Sequence, residues 1–176
     1  MTLRFRLSAV FILLLSACVQ APAPQTSYRD AAVPISIITR GGAEAMTGPW
    51  FVRGAYPAHA NIHTVSFLKG RGGVAAVEFL QSGCDTSGNC EAVSDIWAAE
   101  SLGHNRWRLT SDSADGPIEM WVIWIDDGLR TAAVGTPDGS YAYILDRKAT
   151  GGQDRMTAAR EILEFNGYNI SALAMR

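Results

Sequence analysis

Three apolar runs between Ile118 and Arg147 restrict the fold of this chain more tightly than any other stretch. Ile118-Glu-Met-Trp-Val-Ile-Trp-Ile125, then Leu129 to Gly135, then Ser140-Tyr-Ala-Tyr-Ile-Leu-Asp-Arg147 are dense in β-branched and aromatic residues. Asp127-Gly128 and Pro137-Asp138-Gly139 fall between them and supply the tight-turn and positive-φ residues that hairpins need. A three-stranded antiparallel meander follows. In the first run Met120, Val122 and Trp124 alternate with Trp121, Ile123 and Ile125, so both faces are apolar and neither can be left to solvent. A sheet with one face on an interior and the other beneath a helix or a partner meets that requirement.

The helix is found directly downstream. Met156, Ala159, Ile162 and Leu163 form an apolar stripe at helical spacing, with Asp154, Thr157, Arg160, Glu161 and Glu164 opposite. Asn166-Gly167 is a C-terminal cap signal, which sets the helix at about 153–166. A short final strand, Tyr168 to Ala174, is expected after it. Upstream, Trp50–Tyr56, Ile62–Lys69, Val74–Gln81, Glu91–Leu102 and Arg106–Thr110 read as further strands bounded by Gly, Pro, Asn or Ser. With the meander they make about eight strands at barrel spacing. The connections after Val74 are hairpin-like, which favours an all-β, eight-stranded antiparallel up-and-down β-barrel whose closure removes exposed edges.

Residues 1–17 read as a leader outside the fold. Arg4 and Arg6 precede an apolar run, Leu7 to Leu15, too short to span a bilayer. Leu15-Ser16-Ala17-Cys18 resembles the bacterial lipobox, in which the cysteine is acylated and becomes the new N-terminus. By the same resemblance, Val19 at the next position favours transfer to the outer membrane. Buried acyl CH₂ groups contribute about 0.8 kcal/mol each, so a multiply acylated Cys18 is a stable anchor. Residues 18–33, with Ala-Pro-Ala-Pro-Gln-Thr-Ser in their middle, read as a Pro-rich tether, and residues 34–176 as one barrel domain with its helix. The chain carries 15 basic and 17 acidic residues. Two of the arginines and none of the acids lie in the leader, so the exported part is acidic and nucleic acid is not an expected partner.

Cys84 and Cys90 flank Asp-Thr-Ser-Gly-Asn. In an exported chain such a pair is most simply a disulfide stapling two strand ends. No nearby His or Cys completes a metal site, and the two-residue spacing of redox-active pairs is missing.

Enzymatic constellations are not found. His59 and His63 could be a metal pair on a helix, but they lie beside Pro57 and Asn61 in what reads as a loop, where two solvated histidines are the plainer reading. His104 lies in a Gly-His-Asn-Arg turn. Asp126 and Asp127 are adjacent and project to opposite sides of a strand end. Ser82 and Ser101 have neither a strained elbow nor a paired His in sequence. No cofactor or metal is expected.

At Gly48-Pro49-Trp50 the pattern resembles a known family. Gly-x-Trp at the entrance to the first strand of such a barrel, with a C-terminal helix and strand, is similar to the lipocalins. Together with Leu-Ser-Ala-Cys it resembles the bacterial outer-membrane members. The family's Thr-Asp-Tyr turn between the sixth and seventh strands is reduced here to Asp126, and its Arg ending the eighth strand matches Arg147. The similarity is good at 46–56 and 118–176 and weak at 57–117. It implies that Gly48 permits a tight turn, that Trp50 plugs one end of the barrel, and that Arg147 lies over the Trp50 ring at a gain of roughly 0.5 to 2 kcal/mol.

An eight-stranded barrel is just wide enough to be filled by side chains or to hold one small ligand. Alternation puts Tyr141, Tyr143 and Leu145 on the face of Arg147, and Tyr56, Phe67, Phe79, Trp97 and Trp107 are further wall candidates. The resemblance implies a membrane-anchored, non-enzymatic carrier of a lipid-like molecule of the fatty acid or lysophospholipid class, lipid-anchored in the outer membrane and facing the periplasm. A protein-interaction or inhibitor module on a filled barrel is the alternative. An outward Trp121 or Trp124 not covered by the helix would be a homodimer contact.

Overall fold

The computed structural model describes residues 27–176; the leader and Cys18 lie outside them. Eight antiparallel strands are present: β1 (Gly48–Ala55), β2 (Ile62–Gly70), β3 (Gly73–Cys84), β4 (Cys90–Ser101), β5 (Arg106–Thr110), β6 (Ile118–Ile125), β7 (Thr131–Gly135) and β8 (Ala142–Asp146). Each pairs with the next in sequence, and β1 pairs with both β2 and β8, so the barrel closes with up-and-down topology. The α-helix α1 (Gln153–Phe165) and a final short strand, β9 (Ala174–Met175), follow. β9 adds to β1 at Gly54 and Ala55.

Two apolar layers explain the two-sided sequence of the meander. Along β8 and the residue before it, Tyr141, Tyr143 and Leu145 enter the barrel interior, whereas Ala142 and Ile144 pack outward beneath Met156, Ala159 and Leu163 of α1. On β6 the simple alternation fails. The ladder to β7 passes from Val122↔Val134 to Trp124↔Ala133 without pairing Ile123, a bulge that shifts the phase by one residue. Met120, Val122 and Ile125 are therefore inside, while Ile123 and Trp124 both face the helix layer. The bulge thus corrects the expected grouping of Trp124 with Met120 and of Ile125 with Ile123.

Two further expectations are corrected at the chain ends. Tyr168 to Ala174 is not one strand. The Tyr168 hydroxyl donates to the Thr136 carbonyl at 2.6 Å, and the Asn169 side chain accepts from Ser171 N at 3.1 Å. Together they bend the chain into a 3-10 turn, Ile170–Ala172, ahead of β9. The tether also ends earlier than residue 33. Tyr28 N donates to the Gly139 carbonyl and Asn169 N to the Tyr28 carbonyl, both at 2.8 Å, and Arg29 is buried with its guanidinium on the carbonyls of Asn166, Pro137 and Val33. Five potential donors on one planar group make arginine suited to knitting such carbonyls together.

Candidate ligand cavity and barrel floor

Strand directions assign the two ends of the barrel. β1 begins, and β6 and β8 end, at one end; the β1–β2, β3–β4, β5–β6 and β7–β8 connections lie at the other. At the first end Gly48 has φ +95°, a backbone conformation that favours glycine. Trp50 is fully buried and donates its indole N–H to the Met46 carbonyl at 2.7 Å. Arg147 Cζ lies 3.7 Å from the Trp50 ring centroid while its N–H groups donate to the carbonyls of Ala45, Thr47 and Pro49 at 2.9–3.0 Å. This end is a floor.

Neighbouring carboxylates brace it. Asp126 accepts from the backbone N–H groups of Arg130 at 2.6 Å and Thr131 at 2.7 Å and from Arg130 Nε at 3.0 Å. Burial alone would raise its pKa, but these donors outweigh it and hold the carboxyl below its ordinary range. Asp146 is fully buried and accepts from Thr131 Oγ1 at 2.5 Å, Lys148 N at 2.7 Å and Arg155 Nη2 at 3.2 Å. Through Arg155 it ties α1 to the floor.

Above Trp50 the lumen is solid. Phe67 and Trp107 meet at 5.4 Å between ring centroids, with Val65, Leu109 and Met120 buried in the same cluster. Towards the opposite end the packing opens into a cavity of about 450 Å³. Phe79, Trp97, Tyr141 and Tyr143 form aromatic walls, with Ile62 and Ile118 beside them. Phe79 and Trp97 meet edge to face at 6.3 Å, and the Tyr141 and Tyr143 rings lie 5.2 Å apart.

Polar atoms in this cavity are few. Asp95 lies on the inner face of β4, where its Oδ2 accepts from Trp97 Nε1 at 2.8 Å. The Tyr141 hydroxyl donates to the Glu119 carbonyl at 2.9 Å; the Tyr143 hydroxyl has no hydrogen-bond partner among the described residues. Burial pushes both phenols far above their ordinary pKa, so each stays protonated. His59 is half-buried, 5.9 and 6.0 Å from the rings of Tyr141 and Tyr143, with Nε2 3.4 Å from the Ser140 carbonyl. Burial holds its pKa below the ordinary histidine value, partly offset by that carbonyl.

The expected wall residues therefore divide. Phe79, Trp97, Tyr141 and Tyr143 line the cavity. Phe67 and Trp107 point inward but lie too deep, filling the lumen beneath it. Tyr56 belongs to the outer layer, its ring stacked on Tyr28 at 3.8 Å. Asp95, Gln81, His59, Ser140 and Tyr28 line the cavity without having been singled out as wall residues. Alternation from Trp97 and Phe79 would have reached Asp95 and Gln81. The reading of two solvated loop histidines is corrected in part: His59 is half-buried in the cavity wall, whereas His63 is exposed but on β2 rather than in a loop, with Nε2 2.6 Å from Ser82 Oγ.

Cys84 and Cys90 form a disulfide at the tip of the β3–β4 hairpin, where they are paired in register. Asp85 closes the loop between them by accepting from the backbone N–H groups of Ser87 and Asn89, both at 2.9 Å. Of the two outward tryptophans, Trp124 packs partly under the helix layer. Trp121 is covered by Arg106, 5.1 Å from its ring centroid, and donates to Glu119 at 2.8 Å.

Comparison with known proteins bears on the architecture. The family model described as Lipocalin-like domain matches residues 98–176. No curated protein sequence matches the chain. Among solved structures, rat epididymal lipocalin 12 is similar with a TM-score of 0.56 and 15% identity, covering 88% of this chain and 93% of that one. Lobster apocrustacyanin A1 has a TM-score of 0.54 and 9% identity, covering 81% and 89%. The bovine lipocalin allergen Bos d 2 has a TM-score of 0.53 and 9% identity, covering 77% and 94%. At these identities the structural neighbours speak to fold alone, and the fold they share with this chain is that of the lipocalins.

Proposed function

We propose that the protein is a non-enzymatic lipocalin that holds one lipid-like amphiphile, of the fatty acid or lysophospholipid class, in the mouth of its barrel. The carrying observation is the aromatic-walled cavity of about 450 Å³ above a solid floor, within the usual size range for a small-molecule site and with the usual few polar groups among apolar walls. In this reading acylated Cys18 anchors the protein in the outer membrane, facing the periplasm. Replacing Cys18 with Ser should then release it to the soluble fraction of the envelope.

The packed layer of Phe67 and Trp107 favours a second reading, a filled barrel that works through its outer surface as an interaction or inhibitor module. Native mass spectrometry separates the two. The protein is isolated from a bacterial envelope, delipidated and refed with fatty acids and lysophospholipids. A one-to-one adduct that is lost and re-forms supports the carrier; a protein that takes up none of them contradicts it.

A further inference from the structure

The charge inventory of the cavity is lopsided. Among the described residues that line it, Asp95 is the single carboxylate and there is no lysine or arginine. Its one ring base, His59, is held neutral by burial near physiological pH. Arg176 is near enough to influence the Tyr143 hydroxyl, but its guanidinium is spent on the carbonyls of Ala60 and Ile62 and does not line the cavity.

Within that space Asp95 Oδ2 is engaged by the Trp97 indole, and among the described residues Oδ1 has no partner. Around it stand the faces and edges of Trp97, Phe79, Tyr141 and Tyr143. Aromatic rings with a carboxylate among them attract an organic cation through the ring quadrupoles and the fixed charge together. The same carboxylate repels an anionic head brought among lining residues that include no lysine or arginine, Arg176 lying outside the wall.

We propose that the cavity selects amphiphiles with an ammonium head, seated between Asp95 and the Trp97–Phe79 and Tyr141–Tyr143 ring pairs, over those with a carboxylate head. This selection rests on the reading of the cavity as the ligand site and narrows the ligand class named there, setting fatty acids behind amphiphiles with an ammonium head. Asp95 supplies the sign preference, and the rings supply contact that any apolar tail or head can use.

The test is calorimetric titration of the purified protein at neutral pH with three probes of one tail length: dodecyltrimethylammonium, dodecanoate and dodecanol. The ammonium probe should bind at least about tenfold more tightly than dodecanoate, roughly 1.4 kcal/mol. Asp95→Asn keeps an oxygen for the Trp97 indole and should remove most of that preference, bringing the affinities of the ammonium probe and dodecanoate to within about threefold of each other. Dodecanoate binding as tightly as the ammonium probe, or a preference that survives Asp95→Asn, would overturn the ammonium selection and leave the carrier reading standing. Absence of binding by all three probes would overturn the carrier reading and the selection with it.

Discussion

The two ends of this barrel are built from the same eight strands and obey opposite rules. At the floor, charge is matched at short range: Arg147 meets three carbonyls and the Trp50 ring, and Asp146 meets Thr131, Arg155 and the Lys148 N–H. At the mouth, aromatic walls enclose space, and Asp95 Oδ1 and the Tyr143 hydroxyl find no protein partner among the described residues. Buried polar groups are normally satisfied because an unmade hydrogen bond costs more than a made one contributes. The charged groups named at the floor are paired, whereas Asp95 Oδ1 and the Tyr143 hydroxyl open onto the cavity, and in the carrier reading this separates holding the fold from accepting a ligand.

That contrast breaks first at the solid layer beneath the cavity. Trp107→Ala should destabilise the protein by about 3–5 kcal/mol, measured as a shift in the denaturant midpoint at unchanged slope. A change below about 1 kcal/mol would mean that the lower lumen is not the stabilising core. Asp146→Ala should cost about 3 kcal/mol, because it strands the partly buried Arg155 and unties α1; hydrogen exchange should show the first turn of α1 opening before the barrel strands.

The mouth should tolerate more. Replacing both Cys84 and Cys90 with Ser frees a short loop, and its closure entropy suggests a loss of about 2 kcal/mol. Enhanced exchange should be confined to the β3–β4 tip, and a global loss of protection would contradict the separation of the two ends. Smaller again is the pH effect at Asp126. Its folded pKa lies below the unfolded value, so its contribution is fully present above the ordinary carboxylate value and is lost as pH falls through the folded one. The stability gap between the parent and Asp126→Asn should be constant near neutrality and shrink on acidification. Trp97→Phe, which removes the indole donor to Asp95 and part of the ring surface in the partly buried cavity wall, should cost about 1 kcal/mol while weakening amphiphile binding.

The strands were legible because alternation and turn residues are local. Arg106–Thr110 was placed to the residue, and the helix differed only in ending at Phe165, with Asn166 as its cap. The Ile123 bulge was not legible, since it depends on how β6 meets β7. The cavity was half legible for a related reason. Alternation tells which residues face inward but not how deep they lie, so Phe67 and Trp107 could not be told from Phe79 and Trp97. The outward position of Tyr56 is not legible, because its stacking partner, Tyr28, comes from a segment that reads as tether. Asp95 shares the phase of Trp97, but a carboxylate carries no sequence signal for an apolar cavity wall.

The most direct test of the central claim is a crystal structure of the protein refed with its envelope ligand. A single molecule bounded by Phe79, Trp97, Tyr141 and Tyr143 and stopping above the Phe67–Trp107 layer is the predicted result. A ligand passing below that layer, or seated on the outer wall with the mouth unfilled, would contradict the division between a holding floor and an accepting mouth.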